Sequence, residues 1–291
     1  MAPPRRYIGA PSSLAACVGR LPAGAEAGYR RLDLIGAVLM ALGVLALTTP
    51  LTFGSDAHWP TWCWLILAVG VALLAVFAVH QRHLAAAGRD PLLDPALFAR
   101  RPVRSGLAGI CVLMGCYGAL LFTTALFLQQ ALHESALRSG LTFAAYAAGF
   151  AAAALTWSRL PAAWHPRIPA ACFAVIAAAS AAMAWATSGG NWPWTATILL
   201  AVAGAGHGAG FGALVHRTAA ATGEHAATFS GVLSTANQLA IVAGIAAAGA
   251  LYASTGSSTR RPAQISRVLA AITGIELLAG AMTLSGRRNR P

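Results

Sequence analysis

Few side chains in this sequence could carry chemistry, and most of those lie inside long apolar runs. Glu276 stands near the middle of the stretch 265–285. An acid there can bind and release a proton or touch a polar ligand; equally, it can stay protonated and bond a neighbouring carbonyl. Left charged in hydrocarbon it would cost about 2.5–3.5 kcal/mol, so a neutral or partnered state is expected. Asn237 and Gln238 fall mid-run in 227–252, and Gln129 and Gln130 close the run 106–128. Their amides can hydrogen-bond an amphipathic ligand, or hold helices together at about 0.6–2 kcal/mol per contact. His207 can titrate or bond locally. His80 and His83 are one helical turn apart, as two metal ligands would be, but no carboxylate lies near them in sequence, and no metal site is expected. Five cysteines, Cys17, Cys63, Cys111, Cys116 and Cys172, are too dispersed for a disulfide framework or a zinc site and read as small hydrophobes. No Gly-x-Ser-x-Gly, Cys-x-x-Cys or His-Glu-x-x-His occurs, so no catalytic residues and no cofactor are expected. The run from Gly208 to Ala213 loosely fits a dinucleotide fingerprint, but no strand precedes it.

The composition explains where these groups must work. Of 291 residues, 57% are apolar and only 10% charged, against roughly 25% charged in soluble domains. Mean hydropathy is +0.65. So few charges cannot cover the surface of a water-soluble globule of this size. All 20 basic residues are arginine. Without lysine there is no Walker-A ATPase, no Schiff-base enzyme and no kinase built on a strand lysine. The net charge of +12 could suggest nucleic acid. The arginines sit singly or in pairs between apolar runs, however, and a basic membrane protein with a lipid bilayer as its partner is the better reading.

A bilayer core of about 30 Å takes roughly 20 mostly apolar residues in helix. Eight runs qualify: 34–53, 62–80, 106–128, 139–157, 168–187, 194–215, 227–252 and 265–285. They are too long and too rich in alanine and leucine for barrel strands, so the expected fold is an all-α integral membrane protein. Glycine, proline and serine punctuate the connectors: Gly54-Ser55-Asp56, the segment from Asp90 to Pro95, Ser188 to Asn191, and Ser254 to Ser258. With the N-terminus inside, cytosolic segments hold 16 arginines and outer loops four. Arginine collects on the cytosolic side, so both termini are expected there, in a multi-pass protein of the cell membrane. Trp59, Trp62, Trp64, Trp192 and Trp194 cluster at the outer ends of spans, where amphipathic rings settle.

Leucine facing lipid gives helices no reason to associate, so close contact relies on small residues. Gly204, Gly208 and Gly212 form one stripe at four-residue spacing, and Ala236, Ala240, Gly244 and Ala248 another. Both are expected to pack against neighbouring helices.

The order of short segments adds more. Arg31-Leu32-Asp33-Leu34-Ile35-Gly36-Ala37 opens the first span and Thr49-Pro50-Leu51-Thr52-Phe53-Gly54 closes it, followed by Trp59-Pro60-Thr61-Trp62. Then come Gln81-Arg82, the run from Gly88-Arg89-Asp90-Pro91 to Ala96-Leu97-Phe98, and Phe127-Leu128-Gln129-Gln130. Ser139-Gly140-Leu141-Thr142-Phe143 and the run from Phe229-Ser230-Gly231 to Asn237-Gln238-Leu239 follow. From about residue 31 to 253 this series resembles the drug:proton antiporter-2 subfamily of the major facilitator superfamily, the 14-span multidrug exporters of EmrB/QacA type. The resemblance implies spans seven to fourteen of such a protein. Residues 34–80 would be two linking helices and 105–285 a six-helix C-terminal half, with cytosolic segments at 1–33, 81–104 and 286–291. It also implies export of amphipathic small molecules in exchange for protons. Gln130, Asn237 and Gln238 would then line the substrate pathway, Glu276 would couple protons, and a separate N-terminal half or another membrane protein would be the partner. Two features depart from the family pattern: Ala144-Ala145 replaces the usual leucine-proline, and Ala163 and His165 stand where a cytosolic loop would carry arginine and glycine. A truncated, non-transporting remnant or an accessory membrane protein is the alternative reading.

Overall fold

The computed structural model describes residues 33–54, 59–89, 91–223, 226–253 and 261–288. Residues 1–32, Ser55, Asp56, Asp90 and the connector 254–258 lie outside the described residues. The described chain is all helical: α1 (Leu34–Phe53), α2 (Thr61–Ala86), the short α3 (Pro95–Ala99), α4 (Arg101–Leu126), α5 (Ala136–Thr156), α6 (Ile168–Ala186), α7 (Trp194–Ala220), α8 (Ala226–Ala253) and α9 (Arg261–Arg288). Eight of them are long and apolar enough to cross a membrane, and they coincide with the eight runs read from the sequence. Large apolar side chains such as Leu65, Val69, Leu141 and Leu278 are exposed along them, as lipid-facing residues must be.

Local chemistry sets several ends. Asp33 caps α1, its carboxylate accepting the Gly36 N–H at 2.8 Å. Asp94 caps α3 through the Ala96 N–H, with Pro95 in the first turn. Ser135 caps α5. The end of α4 widens into a π turn over Phe127–Ala131, a feature no periodicity in the sequence announces. Trp192 departs from the expected interfacial belt: it is buried against Phe127 and donates from Nε1 to Thr197 Oγ1 at 2.9 Å, whereas Trp194 is exposed.

The six helices α4–α9 form one bundle. Helix α4 is its centre, with 56% of its span buried against 17% for each linking helix. Helix α5 packs along α7, α4 along α8, α6 along α9, and α4 crosses α7. Exchanging α4–α6 for α7–α9 maps this pairing onto itself, since α5 on α7 becomes α8 on α4. Each set makes three crossings, so the second enters from the opposite side, and the two are inverted repeats. The sequence carries no visible trace of this relation.

Glycines make the same exchange. At the α5–α7 crossing, a Cβ on Gly204 or Gly208 would collide with the carbonyl of Tyr146 or Phe150, and one on Gly149 with that of Ala201. At the α4–α8 crossing, a Cβ on Gly244 would strike the Gly115 carbonyl and one on Gly118 that of Ile241, and the Ala240 carbonyl sits over Gly115. Gly212 lies against the Trp157 ring. Backbone meets backbone at both crossings, which gives the dense dispersion contact that lipid cannot supply.

The linking pair, α1 packed on α2, joins the bundle through α1 on α8. A polar cluster secures its end. Gln81, 1% exposed, donates to Asp33 Oδ2 at 2.7 Å and accepts the Leu93 N–H at 3.0 Å, and His80 Nε2 lies 3.0 Å from Asp33 Oδ1. The carboxylate near His80 that the sequence order hid is therefore supplied from α1, while His83 stays exposed. Burial works against the Asp33 charge, but the Gly36 N–H, His80 and Gln81 outweigh it and hold the carboxyl below the usual carboxylate value. Its ionised form therefore stabilises the fold above about pH 3.8, and the contribution fades as pH falls below that. Asp33→Ala is expected to cost about 1 kcal/mol at pH 7 from the lost cap alone, Asp33→Asn less, in thermal unfolding of the purified protein. The gap between Asp33→Ala and wild type should narrow below about pH 3.8; a gap independent of pH would contradict this account.

Candidate functional site

A cavity of about 460 Å³ opens between the two repeats. Helix α5 presents Phe143, Tyr146, Ala147 and Phe150 to it, positions spaced three, four and seven apart on one helical face. Helix α4 contributes Met114, Tyr117 and Leu121 at similar spacing, α7 contributes Phe211, and α8 contributes Asn237 and Ile241. Five of these ten side chains are aromatic and none is charged.

The rings are mutually packed. Tyr146 has ring centroids 5.8 Å from Tyr117, 6.4 Å from Phe150 and 5.9 Å from His207, and Tyr117 lies 6.1 Å from His207. His207 on α7 is fully buried, with Nδ1 2.9 Å from the Ala203 carbonyl. A carbonyl can only accept, so Nδ1 carries the proton and Nε2 presents a lone pair. Among the described residues that Nε2 has no partner, nor do the buried Tyr146 hydroxyl and Asn237 Oδ1. An orphaned buried polar group costs about 1–3 kcal/mol, so a cluster of them beside an apolar cavity marks a place where a ligand or water completes the hydrogen bonding.

Glu276 is fully buried on α9, and among the described residues its carboxyl oxygens have no close hydrogen-bond partner. The polar group set against them is the Cys116 thiol, one residue before the cavity-lining Tyr117 on α4. Glu276 is not among the residues lining the cavity. Gln130 is exposed on the π turn. Gln238 is exposed as well, one helical step of about 100° around α8 from Asn237. The structure thus brings Asn237, but neither glutamine, to the cavity. Among the described residues no group of three or more histidines, cysteines or acids is gathered as a metal site, and Cys63, Cys111, Cys116 and Cys172 are free thiols.

Residues 51–245, about two thirds of the chain, match the family model of the Major Facilitator Superfamily. The chain belongs to the major facilitator superfamily. Its membership agrees with the inverted three-helix repeats and the cavity between them. Over 138 residues, the chain of this superfamily member is 30% identical to a protein of Streptomyces coelicolor named as a probable actinorhodin transporter. That stretch is 46% of this chain and 24% of the relative, so the match spans about a quarter of the relative's length.

The aromatic lining is the part of this major facilitator site that residue-by-residue reading missed. The signal lay in the spacing of Phe143, Tyr146 and Phe150, which repeats on one face of α5. Tyr146→Phe removes an orphaned hydroxyl without changing shape. It is expected to leave the unliganded protein as stable as wild type or up to about 1 kcal/mol more stable. Thermal unfolding checks this, and a loss above about 1 kcal/mol would mean the hydroxyl has a structural partner.

Proposed function

We propose that this chain forms the linking pair and C-terminal half of a secondary transporter that exports flat, largely apolar small molecules in exchange for protons. The observation that carries the reading is the uncharged aromatic cavity between the inverted repeats, with orphaned polar groups on Asn237 and Tyr146 at its wall. Stacked rings hold a flat apolar body, and a few hydrogen-bonding groups fix its orientation. The similarity to a probable actinorhodin transporter supports transport as the activity. A second bundle would close the cavity from the other side and rock against this one around the bound cargo.

Glu276 is the coupling group of this proposal. It is a fully buried acid whose carboxyl meets the Cys116 thiol, on a helix that packs along α6 and against α4. Protonation there changes the charge inside the bundle by one unit, the change a proton-driven cycle needs. The arginine distribution supports a cell-membrane location with both ends of the chain on the cytosolic side.

The test uses inside-out vesicles from an efflux-deficient host expressing the full chain, with and without a co-expressed six-helix partner bundle. Uptake of the fluorescent aromatic dye Nile red is followed after an imposed pH gradient. Transport is expected to collapse when the gradient is abolished, and Glu276→Gln should lower the gradient-driven rate at least about 10-fold. That change should leave dye binding to the purified protein within about 2-fold. An unchanged rate for Glu276→Gln removes the coupling role, and dye binding insensitive to Asn237→Leu removes the cavity as the cargo site. Tags at the two ends should both be shielded from a protease added outside intact cells.

A further inference from the structure

A second cavity, of about 440 Å³, lies at the arginine-rich end of the molecule, between α2, the α3 segment and the first turn of α4. It exists because α2 packs on α1 and touches α3 but does not run along α4, leaving a cleft between the linking pair and the bundle. Phe77 and Ala78 of α2 and Leu93 and Phe98 of the connecting segment give it apolar walls. Arg82 and Arg104 also line it, one on α2 and one on α4.

Arg138 pairs with Glu134, and Arg100 bonds the Ala221 carbonyl. The side chains of Arg82 and Arg104, like those of Arg89, Arg101, Arg159, Arg167 and Arg267, make no hydrogen bond or ion pair to a described residue, and of these arginines it is Arg82 and Arg104 that line the cleft. Two acids lie between them in sequence: Asp94 is engaged as the cap of α3, and Asp90 lies outside the described residues. The cleft is also held in shape without a ligand. Gln81, which lines it, fixes the connecting segment through the Leu93 N–H and fixes α1 through Asp33. On the far side of that segment Leu97, 1% exposed, is locked into a small core with Val103 and Phe229.

Two unpaired guanidinium groups over an apolar trough, at the end of membrane-spanning helices, match one chemistry closely. A phosphodiester takes paired N–H donors from arginine, and a hydrocarbon chain takes the trough. We propose that this cleft binds the headgroup of an anionic phospholipid from the surrounding bilayer, with Arg82 and Arg104 on the phosphate and an acyl chain along Phe77, Ala78 and Phe98. The lipid would fill the gap between linking pair and bundle, so that the pair rides on the bundle through a bound lipid as well as through α1.

The full chain, purified in detergent, is titrated with phosphatidylglycerol or phosphatidylcholine and read by native mass spectrometry. The anionic lipid is expected to bind at least about 10-fold more tightly than the zwitterionic one. The double variant Arg82→Gln/Arg104→Gln should lose about 10- to 30-fold in phosphatidylglycerol affinity, as two cations near a membrane surface imply. Arg82→Lys/Arg104→Lys should fall between, because lysine keeps the charge and loses the fork. Arg159→Gln/Arg167→Gln removes the same charge at the same end but outside the cleft, and should stay within about 2-fold of wild type. Equal losses in the two glutamine pairs would reduce the effect to diffuse surface attraction and overturn the site, as would wild-type affinity in Arg82→Gln/Arg104→Gln. Displacement of the lipid by millimolar inorganic phosphate alone would overturn the lipid as the ligand. Circular dichroism of each variant separates lost binding from lost fold.

Discussion

In hydrocarbon, one helix gains nothing from hiding its leucines against another, and this constraint shapes the rest of the protein. What remains is contact close enough for dispersion to count, and the chain achieves it by removing side chains where helices cross. Gly204, Gly208 and Gly149 bring α5 onto α7, and Gly244, Gly115 and Gly118 bring α8 onto α4. The two crossings are counterparts under exchange of the repeats. They hold the four helices that wall the aromatic cavity, so its outline follows from where glycine was placed.

The cavity and the buried acid show the opposite economy. A bundle built only for stability would pair or delete Tyr146 Oη, His207 Nε2, Asn237 Oδ1 and the Glu276 carboxyl, since each orphaned group is costly away from water. They cluster on α5, α7, α8 and α9 around the centre of the bundle, where such groups can answer to something that comes and goes. The linking pair is different: its polar residues Asp33, His80 and Gln81 satisfy one another, and there the role is to fasten.

The eight spans are legible in the residues because each run is long enough to cross the bilayer and is bounded by proline, glycine, charged or other polar residues. Arginine placement and the glycine stripes are legible for similar reasons, since both depart from a leucine and alanine background. The aromatic lining is harder to see, because Phe143 or Phe150 facing lipid would look the same in sequence as Phe143 or Phe150 facing a cavity. Asn237 and Gln238 illustrate the limit from the polar side: adjacent amides of similar chemistry, separated by a helical step, end with only the first at the cavity. The π turn at Phe127–Ala131, which carries Gln130, depends on hydrogen-bond register. The inverted repeat resides in which helices touch, a relation that residue identity does not encode.

The exclusive use of arginine has one more effect. A guanidinium presents a planar fork of N–H donors where an ammonium presents a point charge, so the rim formed by Arg82, Arg89, Arg100, Arg101 and Arg104 is built for partners with paired oxygens. Replacing these arginines by lysine would keep the charge of that rim but lose the matched geometry, so the rim's selectivity among anions rests on shape as well as on sign.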